Sequence, residues 1–232
     1  MSVEIGKVDL EHRYDPWIGE SYRKRLAAYT KHESIEAILW RCHVMAESHY
    51  SLEDDFAGMT VSAVRQLALE RNEFGRFWTL IASSVSGVPG DQIDREAVWN
   101  DIAFSNFVQT LLSDHGIAPT DDQWGDARRR FFSQLVLTRP TILAVFSHRA
   151  FENLPNEGVK CPPMQMRPDW PVVDDAWLYP YQVEEGVDVT IAVKNKHPRG
   201  GLSPTLAYQR IATVASFYSN LAIRYHEGAF EQ

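Results

Sequence analysis

Cysteine is scarce in this chain: Cys42 and Cys161 are the two among 232 residues. Two thiols cannot build a disulfide framework, a four-cysteine zinc site or a cysteine-held iron–sulfur cluster. Cys42 lies inside an apolar run and is expected to be a buried core thiol. Long hydrophobic runs are missing as well. None approaches the ~20 residues of a membrane span, and no apolar segment follows a basic start as in a signal peptide. A cytoplasmic setting with no membrane partner is expected. Internal repeats and low-complexity tracts are absent. So is the Gly-rich loop that cradles nucleotide phosphates. The eight histidines show no metal-ligand spacing. The chain is therefore expected to need no metal, no iron–sulfur cluster and no other cofactor.

Acidic residues are missing from one region. The net charge is −8, which argues against blanket nucleic-acid binding, yet no Asp or Glu lies between Asp188 and Glu227. That stretch holds Lys194, Lys196, Arg199, Arg210 and Arg224, so it carries +5 and the remainder −13. It is either a basic face that meets phosphates or a C-terminal helix with solvated arginines.

What is present suits one globular domain spanning 1–232, with 1–31 as an N-terminal extension and helix packed on it. Met1 to Tyr14 is polar and weakly patterned. A helix is expected over Ile18 to Thr30, and a strand over Ile38 to Ala46, "ILWRCHVMA". Helical spacing recurs over Thr60 to Arg71 and Glu73 to Val85. A helical turn at Asp94 to Trp99 precedes a short strand, Ile102 to Val108. Thr120 and Gln123 form a capping-box pattern that opens a helix running to about Leu137. Thr141 to Phe146 reads as a strand and His148 to Leu154 as a short helix. Asn156 to Pro171, rich in Pro and Gly, reads as irregular. Trp177 to Val183 and Val187 to Val193 read as strands. Ser203 and Pro204 open a closing helix that buries Ile211, Val214, Tyr218 and Leu221. Alternating strands and helices predict an α/β fold: a three-layer α/β/α sandwich with a mostly parallel central sheet. Ligands of such sheets bind beyond the carboxyl ends of the strands.

Four stretches that follow strands carry polar chemistry: "AESHY" at 46–50, "IAFSNFVQ" at 102–109, "TILAVFSHRAF" at 141–151 and "KHPRGGLS" at 196–203. Their order and placement resemble the uracil-DNA glycosylase superfamily over about Ile38 to Tyr225. "AESHY" is similar to the water-activating loop usually written Gly-Gln-Asp-Pro-Tyr. Ser48 stands where that loop has Asp, His49 replaces the Pro, and Tyr50 keeps the Tyr. Asn106 matches the residue that reads the edge of a flipped base. "KHPRGGLS" resembles the His-Pro-Ser loop that enters the minor groove, one residue longer and with two glycines.

The resemblance implies a uracil-DNA glycosylase-like fold and a monomeric, monofunctional DNA glycosylase. It would act on single- or double-stranded DNA in repair or in defence against foreign DNA. Breaking an N-glycosidic bond needs a carboxylate to orient water and a donor near the departing base. Glu47 is the carboxylate of its motif and the candidate water activator, with Ser48 beside it. His197 is the candidate donor, to the base or to a phosphate. Asn106, Tyr50, His49 and Ser147 are expected to form the base pocket. Lys194, Lys196 and Arg199 are expected on phosphates, with Pro198, Gly200 and Ser203 of the same loop also expected to bind DNA and Leu202 as the wedge. No lysine lies in the base-reading motifs, which disfavours a lysine-linked intermediate. Three alternatives stand beside this reading: a catalytically silent nucleic-acid-binding protein, a glycosylase for bulky modified bases as on foreign or phage DNA, and an enzyme acting on free nucleosides. Ser48 is smaller than Asp, which motivates the bulky-base alternative.

Overall fold

Three short runs of the chain are buried on both faces, as interior strands of a parallel sheet must be. They are Cys42–Ala46, Ala103–Asn106 and Ile142–Val145, and every residue in them is buried. The computed structural model describes residues 15–30, 40–50, 56–70, 75–114, 116–184 and 186–228. In chain order, β1 is Trp17–Ile18, α1 Glu20–Thr30 and β2 Cys42–Ala46. α2, Met59–Ala63, runs on as a π-helix over Val64–Glu70. Then come α3 (Gly75–Ser86), α4 (Arg95–Asp101), β3 (Ala103–Asn106), α5 (Asp121–Thr138) and β4 (Ile142–Val145). They are followed by α6 (His148–Glu152), β5 (Val159–Lys160), β6 (Ala176–Val183), β7 (Gly186–Lys194) and α7 (Pro204–His226).

Among the described residues seven strands form one sheet in the order β1-β3-β2-β4-β7-β6-β5. The four central strands, β3, β2, β4 and β7, are parallel. The outer pairings, β1 with β3, β7 with β6 and β6 with β5, are antiparallel. The α/β architecture expected from the sequence is therefore present.

Side-chain alternation divides the interior in two. Cys42, Val44, Ile142, Ala144, Ile191 and Val193 face one core, covered by α2, the π-helix, α3, α4 and α7. Met45, Leu143, Val145 and Ala192 face the other, covered by α5 and α6. Cys42 is a buried core thiol as expected, its pKa pushed up to about 12 by burial. Thr120 caps α5 in a full capping box with Gln123, and Ser203 caps α7 ahead of Pro204.

Some elements differ from expectation. β1 occupies the start of the expected first helix, because Trp17 and Ile18 pair with Phe104 and Ala103. β5 lies in the stretch expected to be irregular; two residues long, it leaves too little pattern to read. The helix expected over Thr60 to Arg71 switches to π winding at Val64, a change that three-and-four spacing does not reveal. Met1 to Tyr14 lies outside the described residues. Among the described residues no helix is long and apolar enough to cross a membrane.

A buried polar chain crosses the second core. His43 is fully buried on β2, with Nδ1 3.0 Å from Thr138 Oγ1 and Nε2 2.8 Å from Ser105 Oγ. Ser105 Oγ donates to Gln134 Oε1 at 2.8 Å, and Gln134 Nε2 reaches the Asn106 carbonyl at 3.5 Å. Burial lowers the His43 pKa to about 3, so the folded protein holds it neutral. Unfolded, His43 takes up a proton below its ordinary value of 6.5. Its contribution to stability is therefore complete above that pH and is lost as pH falls toward 3. Urea denaturation from pH 7.5 to 4.5 should show stability declining below pH ~6.5, by up to ~1.4 kcal/mol per pH unit from this residue. His43→Gln should remove that share of the slope; an identical slope in both proteins would refute the assignment.

Candidate functional site

The four parallel strands end at one level. Ala46 pairs with Asn106, Met45 with Val145, and Val145 with Lys194. Beyond β2 the main chain stays tied: Phe107 N donates to the Ala46 carbonyl, Val108 N to that of Glu47 and Leu112 N to that of His49. The strand ends thus form a fixed rim, and a cavity of about 1000 Å³ opens on it. Each strand-following stretch contributes to the lining: Ala46 to Tyr50, then Asn106, then Ser147 to Arg149, then Lys196, His197, Arg199 and Gly200. The facing wall comes from α2, the π-helix and α3, including Met59, Ala63, Leu67 and Phe77.

Glu47 accepts four side-chain hydrogen bonds from described residues. It is 3% exposed. Ser147 Oγ donates to its Oε2 at 2.6 Å. Arg149 grips both oxygens, through Nε to Oε2 at 3.1 Å and through Nη2 to Oε1 at 2.6 Å. The Tyr50 hydroxyl adds a long contact to Oε1 at 3.4 Å. A carboxylate has about four lone-pair sites, so this one is nearly filled. Ser147 is itself held, since its Oγ accepts from Ala150 N at 3.1 Å as the cap of α6. Arg149 is 47% exposed, so its side chain reaches from solvent into the buried acid.

The neighbours of Glu47 have separate tasks. The Ser48 hydroxyl is buried and finds no hydrogen bond of sound geometry among the described residues, although it borders the Tyr50 phenol. Burial above all, together with the Glu47 charge, raises the Tyr50 pKa against the opposition of Ser48 and Arg149. His49 Nε2 lies 2.9 Å from Thr60 Oγ1, which ties the loop to α2.

Asn106 is 3% exposed and lines the cavity, and no described residue hydrogen-bonds its carboxamide. Its carbonyl accepts from Gln109 Nε2 at 3.2 Å and from Gln134. The free carboxamide offers a donor and an acceptor to whatever enters.

His197 caps a short 3-10 turn, Pro198–Gly200, and its Nδ1 accepts from Arg199 N at 3.1 Å. A neutral imidazole that accepts at Nδ1 carries its proton on Nε2. Burial lowers the His197 pKa, against the pull of the Glu47 charge and with help from Arg199 and Arg149. His197 is therefore a neutral Nε2–H donor on the cavity lining.

The expected phosphate-binding set divides. Lys196 and Arg199 are exposed on the cavity. Lys194 is not: it faces the second core, with Nζ 3.8 Å from Asp175 and over the Phe151 ring. Alternation along β7 is the reason, since Val193 and Lys194 point to opposite faces. Asp175 also pairs with Arg210. Pro198 is buried, and Gly201 takes the left-handed conformation that ends the turn. Leu202, the expected wedge, is partly buried against the first core, and Ser203 is occupied as the α7 cap. Arg149 was not singled out from the sequence, although it lies within the third motif. Phe56, 46% exposed on the cavity, was missed as well. Among the described residues no group of three His, Cys, Asp or Glu side chains is placed to hold a metal ion.

Neither a family model nor a curated protein matches the chain.

Arg149→Ala should leave the Glu47 carboxylate buried with half its partners and destabilise the fold by about 1–3 kcal/mol, read by urea denaturation. Arg149→Lys should recover only part of that, because an ammonium cannot make the two-pronged contact. The His197 ring should titrate below 6.5 in NMR, with nitrogen shifts of the Nε2–H tautomer. A midpoint above 6.5 would contradict the burial argument.

Proposed function

We propose that the chain is a uracil-DNA glycosylase-like domain that hydrolyses the N-glycosidic bond of a base flipped out of DNA. The observation that carries this reading is convergence. Four stretches far apart in sequence, each resembling one motif of that superfamily, line a single cavity at the carboxyl end of the sheet. The acid-free stretch supplies Lys196 and Arg199 to its rim, where phosphates would approach.

In the reaction, a water oxygen bonds to C1′ of the deoxyribose. The C1′–N bond breaks, and its electron pair leaves with the base. Glu47 orients the water and receives its proton. The Nε2–H of His197 donates to the base as negative charge builds on it. The Asn106 carboxamide reads the base edge. The half-exposed Arg149 is the group that a backbone phosphate would draw away from Glu47, which returns carboxylate oxygen to the water. Flipping costs a few kcal/mol, which phosphate contacts on the rim would offset.

One observation favours a second reading, a nucleic-acid binder without catalysis. Ser147, Arg149 and Tyr50 already engage both oxygens of Glu47, and Ser48 stands where the superfamily usually has its Asp.

A panel of single- and double-stranded oligonucleotides bearing uracil, hypoxanthine, mismatches or enlarged bases separates the two. The glycosylase produces abasic sites that alkali cleaves. Glu47→Gln should lower that rate by about 10²–10⁴-fold, and Asn106→Ala and His197→Ala should lower it too. A fully active Glu47→Gln protein would refute the mechanism. Binding without abasic sites on every substrate would establish the silent binder.

A further inference from the structure

The cavity is much larger than a plain nucleobase requires. About 1000 Å³ lies at the upper end of the range that takes drug-sized ligands. A site that selects a small base by fit closes around one ring. This one is also lined by residues of α2 and the π-helix. The groups assigned to the base, Glu47, Asn106 and His197, come from the rim, whereas α2 and the π-helix supply another part of the lining.

That second region has its own chemistry. Met59, Ala63 and Leu67 present aliphatic surface, and Phe56 brings a half-exposed aromatic ring. Phe77 and Trp78, edge to face at 5.1 Å, line the cavity on its rim side, where the Phe77 ring lies 5.8 Å from that of His197. Ser62 and Gln66 are the polar side chains that α2 and the π-helix add. A sugar substituent would need many polar partners, because each buried hydroxyl left unpaired is costly. An apolar substituent would be favoured by the same walls. π winding is frequent at functional sites, and here it carries Gln66 and Leu67 on the wall.

Resting on the glycosylase-like reading, we propose that this chamber receives an apolar substituent, alkyl or aryl, on the exocyclic group of the flipped base. The base ring sits against Asn106 and His197 at the rim. The substituent extends between Phe56 and Leu67.

The test uses the full chain and fluorescence anisotropy. Oligonucleotides carry, at one position, adenine, N6-benzyladenine, uracil or glucosylated hydroxymethylcytosine. N6-benzyladenine should bind about 10- to 100-fold tighter than adenine, the range expected for burying one aromatic group. The ratio should collapse toward one in Ala63→Phe and in Gln66→Trp. Gln66 is exposed, so its variant keeps the test valid if Ala63→Phe misfolds. Equal binding of all four probes overturns the proposal, and so does preference for the glucosylated base. Binding is read without excision, so a silent protein that prefers N6-benzyladenine supports the chamber while refuting the glycosylase. If no oligonucleotide binds, the DNA reading fails, and free N6-benzyladenine decides the chamber by tryptophan fluorescence. Saturable quenching that Gln66→Trp weakens supports it; no quenching overturns it.

Discussion

The register of four parallel strands is the constraint on which the site depends. Because β3, β2, β4 and β7 end at the same level, residues as distant in sequence as Glu47 and His197 line one cavity. A one-residue slip in β2 would turn Ala46 toward the second core and carry Glu47 away from Ser147. The ladder does not stop at the strand ends. It continues through Phe107, Val108 and Leu112, so the loop bearing Glu47 is held by main-chain bonds as firmly as a strand.

Within that frame, the ion pair of Glu47 and Arg149 sets the electrostatics. A carboxylate at this depth would be strongly disfavoured alone. A two-pronged guanidinium, a serine hydroxyl and a phenol make it tolerable. The basic rim of Lys196 and Arg199 then gives the mouth an excess of positive charge over an acid already neutralised. A protein of net charge −8 can in this way present a locally cationic opening.

Much of this was legible in the sequence, and the gaps have physical reasons. Buried parallel strands announce themselves as short apolar runs, and Thr120 with Gln123 or Ser203 with Pro204 fix helix starts through local bonds. Motifs that follow strands were legible because the strands were. Arg149 was harder: its partner lies 102 residues away, and an arginine early in a short helix looks like any solvated one. Lys194 was readable but misread. The apolar alternation of Val189, Ile191 and Val193 already assigned it to the opposite face. Of the residues that widen the cavity, Ala63 and Leu67 lie on a helix pattern that describes a core as well as it describes a wall, and Phe56 precedes that helix.

The chain from His43 through Ser105 and Gln134 to the Asn106 carbonyl means that the sheet does not insulate its two sides. α5 contributes no residue to the cavity lining, yet its glutamine reaches the main chain of the cavity residue Asn106 at 3.5 Å. Sequence drift along that far helix is consequently not free. Losing one member strands a buried donor or acceptor on the next, so a substitution there costs stability unless its neighbour changes with it, and the cavity is coupled to the layer behind it.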